Sequence, residues 1–97
     1  MPFVVINSVR AEKDELPAIA LDVQRTGLDS LREQPGFRTS RLLIAEDKSE
    51  LLLISEWESR DAFVAFRQTE IGRQGVQQAL QYHPHIAFYE VIASYDA

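Results

Sequence analysis

The side chains in this chain whose types and spacing could do chemistry are few. Asn7 is the one amide on a strand face that otherwise carries Phe3, Val5 and Val9. A carboxamide both donates and accepts, so in a pocket it would orient a ligand or an oxygen species. The competing reading is a structural amide bonded to nearby backbone, because a buried Asn without partners costs about 1–3 kcal/mol. Trp57 stands where an apolar strand runs into a helix, and Phe66 follows on that helix. Such a ring is a core anchor, or it also walls a ligand pocket. Arg67 and Arg73 flank a short helical piece, where they are solvated or meet a carboxylate or phenolate. His83 and His85 stand two apart around Pro84. On a strand they would point the same way, and either is the natural general base near neutral pH. A working metal site usually takes three protein ligands. No third is near these histidines, so no metal is expected.

Other chemistries are excluded by what is missing. There is no cysteine, which removes disulfides, thiolate nucleophiles and cysteine metal sites. No glycine-rich phosphate loop and no Gly-x-Ser-x-Gly elbow occurs. Net charge is −5, which argues against a nucleic-acid partner, since that needs a basic surface. No run reaches the roughly 18 apolar residues of a membrane span, and no basic segment leads into an apolar signal core. A cytoplasmic protein with no membrane or nucleic-acid partner is expected. With 97 residues, 45% of them hydrophobic, a single domain over residues 1–97 has enough apolar surface for a small core.

The elements that must position these residues follow from periodicity. Phe3 to Arg10 reads as a strand with apolar residues on both faces. Asp14 is placed to cap a helix from Glu15 to about Gln34, with Leu16, Ile19, Ala20, Val23, Gly27 and Leu31 on its apolar stripe. Pro17 is tolerated in the first turn. Gly27 on the stripe implies close approach to a sheet, or room left for a ligand. Pro35-Gly36 ends that helix. Strands follow over Phe37 to about Ala45 and Leu51 to Trp57, joined by the polar turn Glu46 to Ser49. Ser59 is the expected N-cap of a helix from Arg60 to about Gln68. Thr69 caps a second piece, Glu70 to Gln81, which Gly72 and Gly75 make irregular or mobile. Ile86 to Tyr95 is the last strand.

The order is βαββαβ, an α+β ferredoxin-like arrangement with a four-stranded antiparallel sheet. Helices would cover one sheet face only, yet Val4, Ile6 and Leu51 to Ile54 are apolar on both. The patch left over exceeds what soluble monomers tolerate, so a homodimer burying sheet against sheet is expected.

Pro35-Gly36-Phe37, the strand Leu52 to Trp57 ending in Glu-Trp-Glu-Ser, then Asp61-Ala62-Phe63 with Phe66, and Phe88-Tyr89-Glu90-Val91 together resemble the antibiotic biosynthesis monooxygenase family over nearly the whole chain. The resemblance implies a dimeric ferredoxin-like α/β barrel with its pocket between sheet and helices. It also implies that some members oxidise polycyclic aromatic substrates with O2 and neither metal nor flavin, while others degrade haem. Asn7 matches an Asn in the first strand of the haem-degrading branch. That branch carries a Trp where Phe66 stands and an iron-binding His where Val76 stands. Many other members carry a His at the Phe66 position. None of these is present, and valine cannot ligate iron.

The expected function is a cofactor-independent monooxygenase acting on a phenolic or quinone-like aromatic small molecule. Asn7 and Trp57 would be the catalytic positioning groups. Phe66, Arg67, Arg73, His83 and His85 would be substrate-binding. The alternatives are a non-catalytic dimeric binding module, an atypical haem-degrading enzyme, or an isomerase or lyase, because fold does not fix function.

Overall fold

The computed structural model describes residues 1–97, the side chains of Thr26 and Gly27 excepted; the reading of Gly27 as a point of close approach lies outside the described residues. The chain runs β1 (Phe3–Arg10), α1 (Leu16–Val23), a π-helical turn (Gln24–Leu28), α2 (Asp29–Leu31), β2 (Phe37–Ile44), β3 (Glu50–Trp57), α3 (Arg60–Gln68), α4 (Glu70–Leu80) and β4 (His85–Glu90). All strand pairs are antiparallel, in the order β2-β3-β1-β4. This is the ferredoxin-like α+β fold.

Several local devices follow directly from residue type. Ser59 Oγ accepts from the Ala62 N–H at 3.1 Å and starts α3. Thr69 Oγ1 accepts from the Gly72 N–H at 3.0 Å and starts α4. Gly36 has φ +80, and a Cβ there would lie 2.5 Å from the Ala62 Cβ. The Pro35-Gly36 turn therefore needs glycine both for its backbone and for its closeness to α3. The Glu58 N–H donates to the Gly36 carbonyl at 2.7 Å, tying that turn to the end of β3.

Four expectations need correction. Asp14 does not cap the first helix. The Glu15 N–H donates to the Glu12 carbonyl at 2.9 Å, and this turn winds straight into α1 with no side-chain cap. The first helical run ends at Leu31 rather than Gln34, and it is not α-helical throughout, because the π-turn Gln24–Leu28 inserts a residue. The inward positions thus run Leu16, Ile19, Val23, Leu28 and Leu31, with a step of five in place of four. The Glu70–Leu80 piece is a regular α-helix despite its glycines. Gly72 is buried, and a Cβ on it would sit 2.1 Å from the Phe66 carbonyl oxygen. The glycine is what lets α4 leave the end of α3 so tightly. Finally, β4 stops at Glu90, where its ladder with β1 runs out opposite Phe3; the Val91 N–H donates to the Pro2 carbonyl at 3.0 Å, and the strand goes no further.

The core lies on one face of the sheet, in two separate clusters. Phe3, Val5, Leu31 and Trp57 form one; Val9, Leu16, Ile19 and Leu51 form the other. The strand residues of both alternate with Val4, Ile6, Leu52 and Ile54, which register places on the opposite face. None of those four is fully buried within the chain.

Candidate functional site

The interval between the clusters is where the sheet lacks packing. Along β1 the inward residues run Phe3, Val5, Asn7, Val9; along β3, antiparallel, they run Trp57, Ser55, Leu53, Leu51. Asn7 pairs with Leu53 and on its other side with Ile86. Neither Asn7 nor Leu53 belongs to a core cluster. A cavity of about 170 Å3 opens over them. The sheet is its floor, and α4 closes it with Gly72, Gly75, Val76 and Ala79.

The aromatic end is built around Trp57, which is 1% exposed. Its ring centroid lies 5.0 Å from that of Phe66, and Phe63 and Phe37 approach edge-on at 5.6 and 5.4 Å. Such pairs are worth about 0.5–1.5 kcal/mol each beyond the area they bury. The Trp57 Nε1–H donates to Ser55 Oγ at 3.3 Å. With its one donor engaged, Trp57 offers the cavity a ring face rather than a hydrogen bond. It is thus both the core anchor and a wall.

Asn7 is half-buried on the cavity floor. Among the described residues its side-chain amide makes no hydrogen bond. The structural reading of Asn7, an amide satisfied by backbone, therefore has no partner to point to.

The opposite end is polar, and this the sequence reading missed. The Tyr82 hydroxyl donates to the Asp22 carboxylate, joining the turn after α4 to α1 across sixty positions. Both residues line the cavity. The bond to Asp22, with some desolvation, holds the Tyr82 phenol above its ordinary value of 10.0. One signal was available: Asp22 stands three residues after Ile19 and next to Val23, inside the apolar arc of α1.

Of the residues expected to serve the site, Asn7, Trp57, Phe66 and Arg67 border this one cavity. Arg67 is exposed at its rim, its guanidinium carbon 5.9 Å from the Phe63 ring centroid. Arg73, His83 and His85 do not join them. Arg73 is exposed on α4. His83 occupies a left-handed turn, φ 51, rather than a strand. His85 pairs with Ser8; since Ile86 faces the cavity, strand alternation turns His85 to the other side. The two histidines therefore do not share a strand face, and neither lines the cavity. Among the described residues no cluster of three His, Cys, Asp or Glu side chains could hold a metal ion, and no helix is long and apolar enough to cross a membrane.

The family profile described as antibiotic biosynthesis monooxygenase matches residues 2–78. The chain belongs to the antibiotic biosynthesis monooxygenase family. No curated relative matches it by sequence. Solved structures share the fold at low identity. A Mycobacterium tuberculosis protein superposes with TM-score 0.82 at 18% identity, covering 99% of this chain and 100% of that one. SnoaB, a cofactor-independent oxygenase from Streptomyces nogalater, gives 0.73 at 15%, covering 96% and 95%. An ethyl tert-butyl ether d (ethd) family protein from Bacillus halodurans gives 0.77 at 16%, covering 95% and 100%.

Proposed function

We propose that this protein is a cofactor-independent monooxygenase of a small phenolic ring, working as a cytoplasmic homodimer. The observation that carries the reading is the Asn7 amide, open to an apolar and aromatic cavity with no protein partner among the described residues. The cavity volume, about 170 Å3, is close to that of an engineered apolar cavity of about 150 Å3 that takes up benzene. It is smaller than the roughly 300–1,000 Å3 of drug-sized pockets. The volume is that of a single ring, and Val76 offers iron no ligand.

The chemistry needs little from the protein. A phenol can lose its proton, supply electrons to O2, take one oxygen atom into the ring and release the other as water, leaving a quinone. One phenol and one O2 become one benzoquinone and one water, with every atom accounted for. The ring and its leaving hydrogens supply all four electrons that O2 accepts, so no external reductant enters. The cavity would hold the ring against Trp57 and Phe66, Asn7 would orient the reacting oxygen, and the apolar lining would exclude bulk water. The ring binds as the neutral phenol, and Arg67 at the rim favours the anion it becomes once the proton leaves. The cytoplasmic homodimer buries the Val4, Ile6, Leu52 and Ile54 face.

A non-catalytic binding module is the second reading. It is favoured by the engaged Trp57 donor and by the absence of both histidines from the cavity lining. A panel of simple phenols in a thermal-shift assay, followed by O2 uptake with each ligand that raises Tm, separates the two. Uptake matched by quinone formation is the expected result. Binding without uptake favours the module, and a panel that leaves Tm unchanged contradicts both.

A further inference from the structure

We propose that Tyr82, oriented by Asp22, is a hydrogen-bond acceptor that selects ring ligands bearing a hydroxyl group over ethers and quinones. The inference rests on the ring-binding reading of the same cavity and adds the chemical class its polar end takes.

The Tyr82 ring is packed against the cluster of Val9, Leu16, Ile19 and Leu51, and the Tyr82 N–H donates to the Ala79 carbonyl at 3.0 Å. Its position is therefore set by packing and backbone. A phenol has one hydrogen to donate and lone pairs to accept with. The Tyr82 hydrogen goes to the Asp22 carboxylate, so what the oxygen offers a second partner is acceptance. A ligand hydroxyl satisfies it. A methyl ether or a quinone carbonyl brings lone pair against lone pair.

The polarity of this end is stable near neutral pH. Asp22 keeps the Tyr82 phenol protonated beyond its ordinary range, so Tyr82 does not become an anion there. The segment holding Asp22 runs directly into the π-turn Gln24–Leu28, a feature that recurs in α-helices at functional sites. At the floor, Asn7 can donate as well as accept, and so complements an acceptor-only end. A ring whose hydroxyl meets Tyr82 and whose reacting oxygen meets Asn7 has a fixed orientation. A quinone product has lost the donor that held it, which favours its release.

The test is a calorimetric titration of phenol and of anisole, its methyl ether, into the wild-type protein, Tyr82→Phe and Asp22→Asn, each checked for folding by circular dichroism. Wild type is expected to prefer phenol by about tenfold, the worth of one hydrogen bond. Tyr82→Phe should remove the preference by weakening phenol alone. Asp22→Asn, which loosens the Tyr82 hydroxyl so that it can donate, should reduce the preference by strengthening anisole. If Tyr82→Phe does not fold, the Asp22→Asn result carries the test. An unchanged preference in the folded variants, or equal loss of both ligands, overturns the assignment. Phenol bound with the expected preference but never oxidised contradicts the oxygenase reading and leaves the Tyr82 assignment standing. Failure of wild type to bind either ring overturns both.

Discussion

Asn7 and Leu53 stand opposite each other on β1 and β3, at the one pair position between Phe3–Trp57 and Val9–Leu51 where the helix face of the sheet has neither residue in a buried cluster. The sheet register thus divides the core in two and leaves a polar amide beside an apolar side chain under the cavity.

Asn7→Ala should separate a ligand role from a structural one. The amide has no hydrogen bond to lose among the described residues, so the denaturation midpoint should move by less than about 1 kcal/mol equivalent. Affinity for a phenolic ring should fall about tenfold or more, the worth of a hydrogen bond to the ligand. Equilibrium denaturation and calorimetry on the same variant check both. A large loss of stability with unchanged affinity would return Asn7 to a structural role.

The glycines of α4 should respond in opposite ways. A Cβ on Gly72 meets the Phe66 carbonyl at 2.1 Å, whereas one on Gly75 meets nothing within 4 Å. Gly72→Ala should therefore destabilise the protein by displacing α4. Gly75→Ala should stabilise it by up to about 1 kcal/mol through helix propensity, while its methyl group, on the cavity wall, weakens ring binding. Denaturant titrations of the two variants supply the comparison.

Tyr82 makes stability sensitive to alkaline pH. Its folded-state value is raised by Asp22 above the ordinary 10.0. A raised value means that the contribution is fully present below about pH 10, the unfolded value, and is lost as pH rises through the folded one. Tm should therefore fall more steeply above about pH 10 in wild type than in Tyr82→Phe. Parallel curves would show that the bond to Asp22 contributes nothing.

Two copies of the chain should associate through the open sheet face. Sedimentation equilibrium at micromolar concentration should give about twice the chain mass of 11.1 kDa. Ile54→Lys, which puts a charge on that face and away from the cavity, should shift the population to monomer. A wild-type monomer would contradict the proposed assembly.

The parts of this architecture that local chemistry dictates were legible in the sequence. Ser59 and Thr69 announce their helices because a hydroxyl before a helical run has one obvious task. Pro35-Gly36-Phe37 and the Glu-Trp-Glu-Ser stretch are recognisable because they meet: Gly36 touches Ala62 and accepts from Glu58. Features set by tertiary packing were not legible. The π-turn changes which residues of the first helix face inward, and nothing in a window of apolar spacing marks a single inserted residue. Gly72 reads as a helix breaker until the Phe66 carbonyl is found against it. Asp22 and Tyr82 lie sixty positions apart, and only the fold makes them one group. His83 and His85 look alike in sequence, yet one sits in a left-handed turn and the other on a strand, so they do not share a face.

Intermolecular NOEs from bound phenol to methyl-labelled protein test the site most directly, because Leu53 and Ile54 are neighbours in sequence on opposite faces of β3. Ring protons close to the methyl groups of Leu53 and Val76, with none to Leu52 or Ile54, are expected for a ring held over Asn7. Contacts to Ile54 and Leu52 without Leu53 would place the ligand on the open sheet face and contradict the cavity as the functional site.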